Sequence, residues 1–204
     1  MPNFQYLGIS TEDAVTFLTL NRPPVNALGN QLLDEIGAAI DELGADPKTK
    51  VIVIASSVPN VFIAGVDLKE MATLTTPDQI VDVIRKGQRV FSKIENSEKP
   101  VIAAISGVCL GGGQELILAC HIRIASDSMR TRFAQPEILL GIIPGFGGSQ
   151  RLPKVVGASK AAELILTGDA ITAKDALEIG PVHRAVSDGA LVKTAREMTK
   201  KIAK

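Results

Sequence analysis

Two glutamates stand alone in apolar, glycine-rich stretches of this sequence. Glu115 follows three glycines in GGGQELILAC (111–120), and Glu137 is the only charged residue between Arg132 and Arg151. An ionised carboxylate is costly in apolar surroundings unless it is paired or protonated. Two such carboxylates beside flexible backbone fit a general acid and a general base. Alternatively, Glu115 is a solvated or first-turn helix residue, and Glu137 is a charge at a helix N-terminus.

The glycines before Glu115 leave main-chain N–H groups available to a ligand. Glycine lets the backbone approach closely, and the first N–H groups of a helix have no partner within the helix. They lie at the positive end of the helix dipole and suit an anion or a developing oxyanion. A second such place is VFIAGVDLKEM (61–71), where a loop at 64–66 leads into a helix that begins at Asp67. Asp67 by itself fits an N-cap residue better than a catalyst.

The elements that hold these residues alternate along the chain. Apolar, β-rich runs predict strands at 14–20, 51–56, 100–107, 121–126 and 182–186. Helical spacing of apolar residues predicts helices at 32–43 and 77–94, two more after Arg151, and a last one at 189–204. In the second helix, Ile80, Ile84 and Phe91 are predicted to point inward. This alternation predicts an α/β fold with several βαβ-like crossovers, in which the strand at 51–56, apolar on both faces, belongs to a covered parallel sheet.

The last predicted helix has an apolar face of its own. Leu191, Ala195, Met198 and Ile202 fall on one side of it, and no later segment of the sequence could cover them. We therefore expect this face to be a partner surface, or the helical region to be cut short there.

The composition of the chain argues against several classes of function. The chain has 204 residues, with 22 Lys and Arg against 22 Asp and Glu, so charge gives no reason to expect nucleic acid or an acidic membrane as a partner. No apolar run approaches the roughly 18 residues of a membrane span. The N-terminus lacks the pattern of a secretory or mitochondrial presequence. Cys109 and Cys120 lie in apolar stretches of the sequence, which predicts that they are reduced core residues of a cytoplasmic protein.

Other common site types have no counterpart in the sequence. No cluster has metal-ligand spacing, and no P-loop or dinucleotide-binding motif occurs. The G-x-S-x-G motif of serine hydrolases does not occur, and neither His121 nor His183 lies in a sequence context typical of a catalytic triad. We interpret His121 as a strand-start or surface residue. We therefore predict a reaction that needs neither a metal nor a redox cofactor.

Several stretches, in this order and spacing, together carry a resemblance to a known family. They are NRPPVNAL (21–28), FIAGVDLKEM (62–71), AAISGVCLGGGQELILACHIRIAS (103–126), FAQPEILLGIIPGFGGSQRLPKVVG (133–157) and LTGDAITAKDALEIG (166–180). Over essentially its whole length the chain resembles the crotonase, or enoyl-CoA hydratase/isomerase, superfamily. The resemblance implies one α/β core domain over residues 1–204, a spiral of ββα units. It also implies that the family's C-terminal trimerisation and lid helices are missing after residue 204.

The resemblance implies a reaction as well. An enoyl-CoA hydratase adds water across the 2,3 double bond of a 2-enoyl-CoA thioester. The main-chain N–H groups of Val66 and Gly112 would form an oxyanion hole for the thioester carbonyl. Glu115 would deprotonate the water, and Glu137 would supply the proton at C2. Binding of the CoA thioester is implied for Ala64, Val66, Asp67, Leu68, Lys69 and Gly112.

Alternatives within and outside this chemistry stay open. An enoyl-CoA isomerase shuttles one proton and commonly needs a single carboxylate, so the presence of both Glu115 and Glu137 favours hydration. Other acyl-CoA enzymes of the superfamily, and a non-catalytic acyl-CoA-binding protein, are the remaining candidates. Coenzyme A enters as part of the substrate, with no separate cofactor. The resemblance implies a homo-oligomer, either a trimer or a hexamer.

Overall fold

The computed structural model of the protein describes residues 4–203. The strands are β1 Leu7–Glu12, β2 Val15–Leu20, β3 Val51–Ser56, β4 Val61–Ile63, β5 Val101–Ile105, β6 Val108–Leu110, β7 Ile122–Ser126, β8 Arg132–Ala134, β9 Ile171–Thr172 and β10 Arg184–Val186. The α-helices are α1 Asn30–Ala45, α2 Leu68–Met71, α3 Pro77–Glu95, α4 Gly112–Ala119, α5 Gly148–Val156, α6 Ala158–Thr167, α7 Ala173–Ile179 and α8 Leu191–Ile202. Two 3₁₀-helices span Pro136–Leu140 and Asp188–Ala190.

From β3 to β8, successive strands alternate between two sheets. The larger sheet has the order β1-β2-β3-β5-β7-β10 and is parallel except for the β1–β2 hairpin. The smaller sheet has the order β4-β6-β8-β9, and only β9 runs antiparallel to its neighbour. Each of β3, β5 and β7 lies in the larger sheet, and the strand that follows it lies in the smaller one. The predicted spiral of ββα units is confirmed.

Strand β3 explains why both faces of the larger sheet are apolar. Ile52 and Ile54 point to one face and join the main core, which includes α1 and α3. Val51 and Val53 point to the other face and pack in a second core. Because side chains alternate along a strand, a strand buried on both faces must be apolar throughout. This is the pattern that the sequence carries at 51–56.

Helix α8 covers the second face of the larger sheet. Leu191 is 6% exposed and Ala195 is fully buried, both packed in the core that contains Val53 and Ile102. Met198 is partly buried against the same core. The expectation that this helical face lacks a cover is therefore wrong for Leu191, Ala195 and Met198, whereas Ile202 is 36% exposed. The sequence pattern identified the apolar face correctly, but the sheet, which precedes the helix in the chain, supplies the partner.

The helices that flank the main core follow the predicted spacing with one exception. The apolar positions of α1 from Leu32 to Leu43 are buried, and so is Phe91 of α3. Ile80, predicted to point inward, is 42% exposed and lies with Ile84 on the wall of a cavity. The first turns of α3 therefore face that cavity rather than the core.

The strands missing from the prediction are short or lie at an edge. β4, β6 and β8 have three residues each, too few for a period of two to be recognised. β1 is an edge strand whose residues are mostly exposed, so it has no apolar run. No helix within residues 4–203 combines the length and apolarity needed to cross a bilayer.

The packing of α8 leads to a stability prediction. Leu191→Ala removes buried apolar contact and leaves a cavity, so the free energy of unfolding should fall by about 2–3 kcal/mol. The neighbouring Val192 is 51% exposed, and Val192→Ala should change it by at most about 0.5 kcal/mol. Urea denaturation of both variants measures the two changes. Equal small losses would contradict the packing of α8 on the sheet.

Candidate active site

The predicted catalytic segments all follow strands of the smaller sheet. β4 leads into residues 64–66, β6 into Gly111 and Gly112, and β8 into Gln135 and Glu137. These three strands are parallel neighbours, so their carboxyl ends meet at one edge of the sheet. Segments far apart in the chain therefore come together at that edge.

A cavity of about 880 Å³ opens at this edge. Its lining includes the four residues predicted to carry the chemistry: Val66, Gly112, Glu115 and Glu137. Most of the other lining side chains are apolar, and many of these come from α3 and from the segment 136–150. An apolar cavity with a few convergent polar groups is typical of a small-molecule site.

Glu115 is held by main-chain donors from a distant loop. It lies one turn inside α4 and is 1% exposed. Its Oε1 accepts hydrogen bonds from the N–H of Phe146 at 2.8 Å and of Gly148 at 2.7 Å. No protein group within residues 4–203 donates to its Oε2. Because Glu115 lines the cavity, Oε2 is the oxygen available to a water or a substrate.

Glu137 is the second residue of the 3₁₀-helix Pro136–Leu140 and is 9% exposed. With the amide nitrogen of Gln135 turned toward it, that nitrogen donates to both carboxylate oxygens of Glu137 at 3.1 Å. Gly111 makes this placement possible, because a Cβ there would lie 2.9 Å from Glu137 Oε1. Gly111 also has φ 52, a conformation that residues with a side chain rarely adopt. Gly111, which immediately precedes the helix that carries Glu115, therefore packs directly against the carboxylate of Glu137.

Burial makes both carboxyls weaker acids. Desolvation raises the pKa of Glu115 to about 7, helped by the charge of Glu137 and opposed by the two N–H donors and by Arg151. Desolvation also raises the pKa of Glu137, against a main-chain hydrogen bond that lowers it. Burial therefore moves the pKa of both carboxyls from the usual range toward neutrality, which is the direction that suits general acid and base catalysis.

Two main-chain N–H groups are open to the same cavity. In the isolated parallel bridge, Leu28 bonds to Gly65 and Asp67, which turns the N–H of Val66 to the other side. Gly112 is the first residue of α4, where an N–H has no partner in the helix. Neither N–H has an acceptor within the described part of the chain. The two residues are neighbours, since a Cβ on Gly112 would lie 3.5 Å from Val66 Cγ1.

The segment predicted to bind CoA lies only partly in the cavity. Ala64, Asp67 and Leu68 line it, whereas Lys69 is exposed and does not. Asp67 Oδ1 accepts from the N–H groups of Lys69 at 3.0 Å and of Glu70 at 3.2 Å. The interpretation of Asp67 as an N-cap is confirmed.

Arg22 supplies a contact of Asp67 that the sequence reasoning missed. Its Nη2 donates to Asp67 Oδ2 at 2.6 Å. Despite desolvation, this guanidinium and the capping N–H groups hold the pKa of Asp67 below its usual value. The Asp67 carboxylate is therefore occupied by Arg22 and by the first N–H groups of α2, and it fixes the backbone that follows Val66.

The chain is similar to known proteins of one family. The family model described as "Enoyl-CoA hydratase/isomerase" matches residues 10–204 of the chain. The chain belongs to this family. A relative from Clostridium acetobutylicum, named "Short-chain-enoyl-CoA hydratase", is 42% identical over 195 residues, which are 95% of this chain and 74% of the relative. The crystal structure of an enoyl-CoA hydratase from Bacillus anthracis superposes with a TM-score of 0.92 at 37% identity and covers 98% of this chain and 77% of that one.

The family also includes much longer proteins. The "Fatty acid oxidation complex subunit alpha" of Shewanella frigidimarina is 40% identical over 192 residues, which are 93% of this chain but 27% of that protein. The chain thus spans about a quarter of the length of that relative. The predicted superfamily and the crotonase-type fold are both confirmed by these comparisons.

Several residues of the site were not identified from the sequence. The N–H groups of Phe146 and Gly148 donate to Glu115, which is distant from them in sequence. The amide of Gln135 lies beside the carboxylate of Glu137, two positions further along the chain. The glycine-rich run PGFGG (144–148) is a signal that could have indicated them, since glycine favours close main-chain approach. Cys109 and Cys120 are buried and form no disulfide. Within residues 4–203 no three His, Cys, Asp or Glu side chains are placed to hold a metal ion.

The raised pKa of Glu115 predicts how stability depends on pH. Unfolding returns the carboxyl to its usual pKa of 4.5, from about 7 in the folded protein. The native state therefore holds a proton that the unfolded state has released, so stability falls as pH rises between these values. In Glu115→Gln this loss is absent, and its stability relative to wild type should improve by about 2 kcal/mol between pH 5 and pH 8.

Urea denaturation at both pH values measures this change. Glu163→Gln, at an exposed position of α6, is the control for removal of one glutamate. A difference between Glu115→Gln and wild type that stays the same at pH 5 and pH 8 would contradict the raised pKa.

Proposed function

We propose that this protein is an enoyl-CoA hydratase that adds water to the 2,3 double bond of a 2-enoyl-CoA thioester. The observation that carries the proposal is the meeting in one cavity of two buried carboxyls and two main-chain N–H groups that have no acceptor within residues 4–203. The names of its relatives support the same reaction. In this proposal Glu115 and Glu137 are the catalytic residues, and Val66 and Gly112 form the oxyanion hole.

The geometry suits the steps of hydration in order. The thioester oxygen accepts from the N–H groups of Val66 and Gly112, which polarises the carbonyl and makes C3 electrophilic. Glu115 Oε2 takes a proton from a water, whose oxygen forms a bond to C3. The electrons of the double bond move to the thioester oxygen, giving an enolate that the two N–H groups stabilise. An oxyanion donor of this kind is worth about 10²–10³ in rate.

Glu137 completes the addition. Its protonated carboxyl gives a proton to C2, the enolate collapses to the thioester, and the new C–H bond completes the addition of one water. Glu115 then carries the proton from the water and Glu137 is ionised. The amide of Gln135, which donates to both oxygens of Glu137, stabilises the ionised form that the transfer leaves behind. Proton exchange with solvent returns both carboxyls to their starting states.

The substrate in this proposal is an acyl-CoA thioester, with no metal or other cofactor. Ala64, Asp67 and Leu68 line the mouth of the cavity beside Val66 and are proposed to contact the CoA arm. Lys69, exposed next to them, is proposed to approach the CoA phosphates or adenine. The apolar walls from α3 and the segment 136–150 provide the surface for the acyl chain.

Substitution of either glutamate tests the proposed reaction. Glu115→Gln and Glu137→Gln should each lower kcat for hydration of crotonyl-CoA by about 10²–10⁴-fold, because each removes a proton-transfer group of the transition state. Circular dichroism and thermal unfolding establish that the variants are folded. Folded variants that hydrate crotonyl-CoA at near the wild-type rate would refute the assignment.

Three outcomes for the wild-type protein separate the alternatives. Faster turnover of 2-enoyl than of 3-enoyl thioesters supports hydration, whereas the reverse identifies an isomerase. Binding of crotonyl-CoA without turnover of either substrate identifies a non-catalytic acyl-CoA-binding protein.

The assembly and the location of the protein are also part of the proposal. We propose a homo-oligomer, a trimer or a hexamer. The resemblance of the chain to the crotonase family supports this part of the proposal. Buried, unpaired cysteines favour a cytoplasmic protein. Sedimentation velocity tests the first part, since a monomer at all concentrations would contradict it.

A further inference from the structure

The loop that holds Glu115 is fixed in turn by α3. Residues 144–148 provide the two N–H donors to Glu115 Oε1. From α3, Gln88 Nε2 donates to the carbonyl of Gly145 at 2.8 Å. The ring of Phe146 packs edge-on against Phe91, with ring centroids 5.6 Å apart. The position of the carboxylate therefore depends on how this loop sits on a neighbouring helix.

Arg151 makes the strongest connection between the loop and α3. It lies in the first turn of α5 and is 8% exposed. Its Nη1 donates to the carbonyl of Phe146 at 3.0 Å. Its Nε and Nη2 donate to Glu95 Oε2, at the end of α3, at 3.0 and 2.7 Å. Phe146 is thus held on both sides, since its N–H donates to Glu115 and its carbonyl accepts from Arg151.

The fork of Arg151 has little room to move. A Cβ on Gly147 would lie 2.2 Å from Arg151 Nη1, so the guanidinium packs directly against the backbone between the two N–H donors. Gly147 has φ 115, a conformation that favours glycine. Arg151 is absent from the lining of the cavity, so it has no direct route to a substrate.

We propose that Arg151, anchored by Glu95, is a positioning residue for Glu115 that acts through the main chain of residues 146–148. It fixes the two N–H groups that orient the carboxylate, and its charge favours the ionised form that accepts a proton from water. The inference rests on the proposed function for its kinetic consequence, but the effect on the Glu115 carboxyl is independent of it.

The charges around Glu115 define what removal of Arg151 should do. Glu137 lines the same cavity as Glu115 and favours the protonated form of Glu115, whereas Arg151 favours the ionised form. Glu95, on α3, faces the guanidinium of Arg151. Without the cation, the Glu115 carboxyl should titrate at a higher pH. A residue that only stabilised the fold would not move this titration.

Two variants of Arg151 test the inference. Arg151→Met should shift the acid limb of the kcat/KM profile for crotonyl-CoA hydration to higher pH. At the pH optimum of each protein, kcat should fall about tenfold and KM should change less than about threefold. Arg151→Lys keeps the charge but not the planar fork, so its acid limb should stay near that of wild type while kcat falls.

A substitution of the partner gives a second test that does not remove the arginine. Glu95→Gln should lower kcat, because the anchor on α3 weakens, without raising the acid limb, because the cation stays. Arg196→Met is the matched control for Arg151→Met. Arg196 lies on α8, away from the cavity, and its Nη1 is 2.6 Å from Glu12 Oε2. This control should leave both kcat and the acid limb unchanged.

Direct titration decides the inference whether or not the protein is a hydratase. In protein labelled with ¹³C at the glutamate carboxyls, the signal lost in Glu115→Gln identifies Glu115, and its shift is followed against pH. An upward move in Arg151→Met but not in Arg196→Met supports the inference. A folded Arg151→Met with an unmoved Glu115 titration overturns it, even if the protein melts earlier. Lack of hydration by the wild-type protein overturns the proposed function alone.

Discussion

The desolvation of the Glu115 carboxylate is the constraint on which the site depends. A carboxylate that is almost fully buried keeps its charge only if nearby groups replace the water it has lost. Phe146 and Gly148 supply two main-chain donors for one of its oxygens. The other oxygen stays open to the cavity. With one oxygen bound and the other free, the Glu115 carboxyl can ionise near neutral pH. Its free oxygen is then available to a molecule in the cavity.

That constraint explains why the site draws on so many segments of the chain. Helix α4 carries Glu115, and the loop before α5 carries its donors. The carboxyl ends of β4, β6 and β8 bring Val66, Gly112 and Glu137 to the same edge. Parallel strands are suited to this task, because neighbouring strands end together while their sequences remain far apart. The larger sheet and its two cores provide the rigid support behind that edge.

The sequence predicted those parts that show a local pattern. The helical spacing of α1 and the apolar run of β3 were sufficient to locate both elements. Glu115 and Glu137 stood out because a lone charge in apolar text is unusual, and Val66 and Gly112 followed from the family resemblance. The ties from Arg22 to Asp67 and from Arg151 to Glu95 were not predicted. They join residues brought together only by the fold, and each side chain alone looks like an ordinary surface charge.

The cover that α8 gives to the larger sheet bears on how the chain folds during synthesis. Phe17 and Val53 belong to early strands, yet their core is completed by Leu191 and Ala195. Until the ribosome has released α8, one face of the earlier strands stays in contact with water. Nascent chains with such exposed apolar surface are prone to associate and are the usual clients of chaperones. The second core is thus completed only after a helix far along the chain has been synthesised.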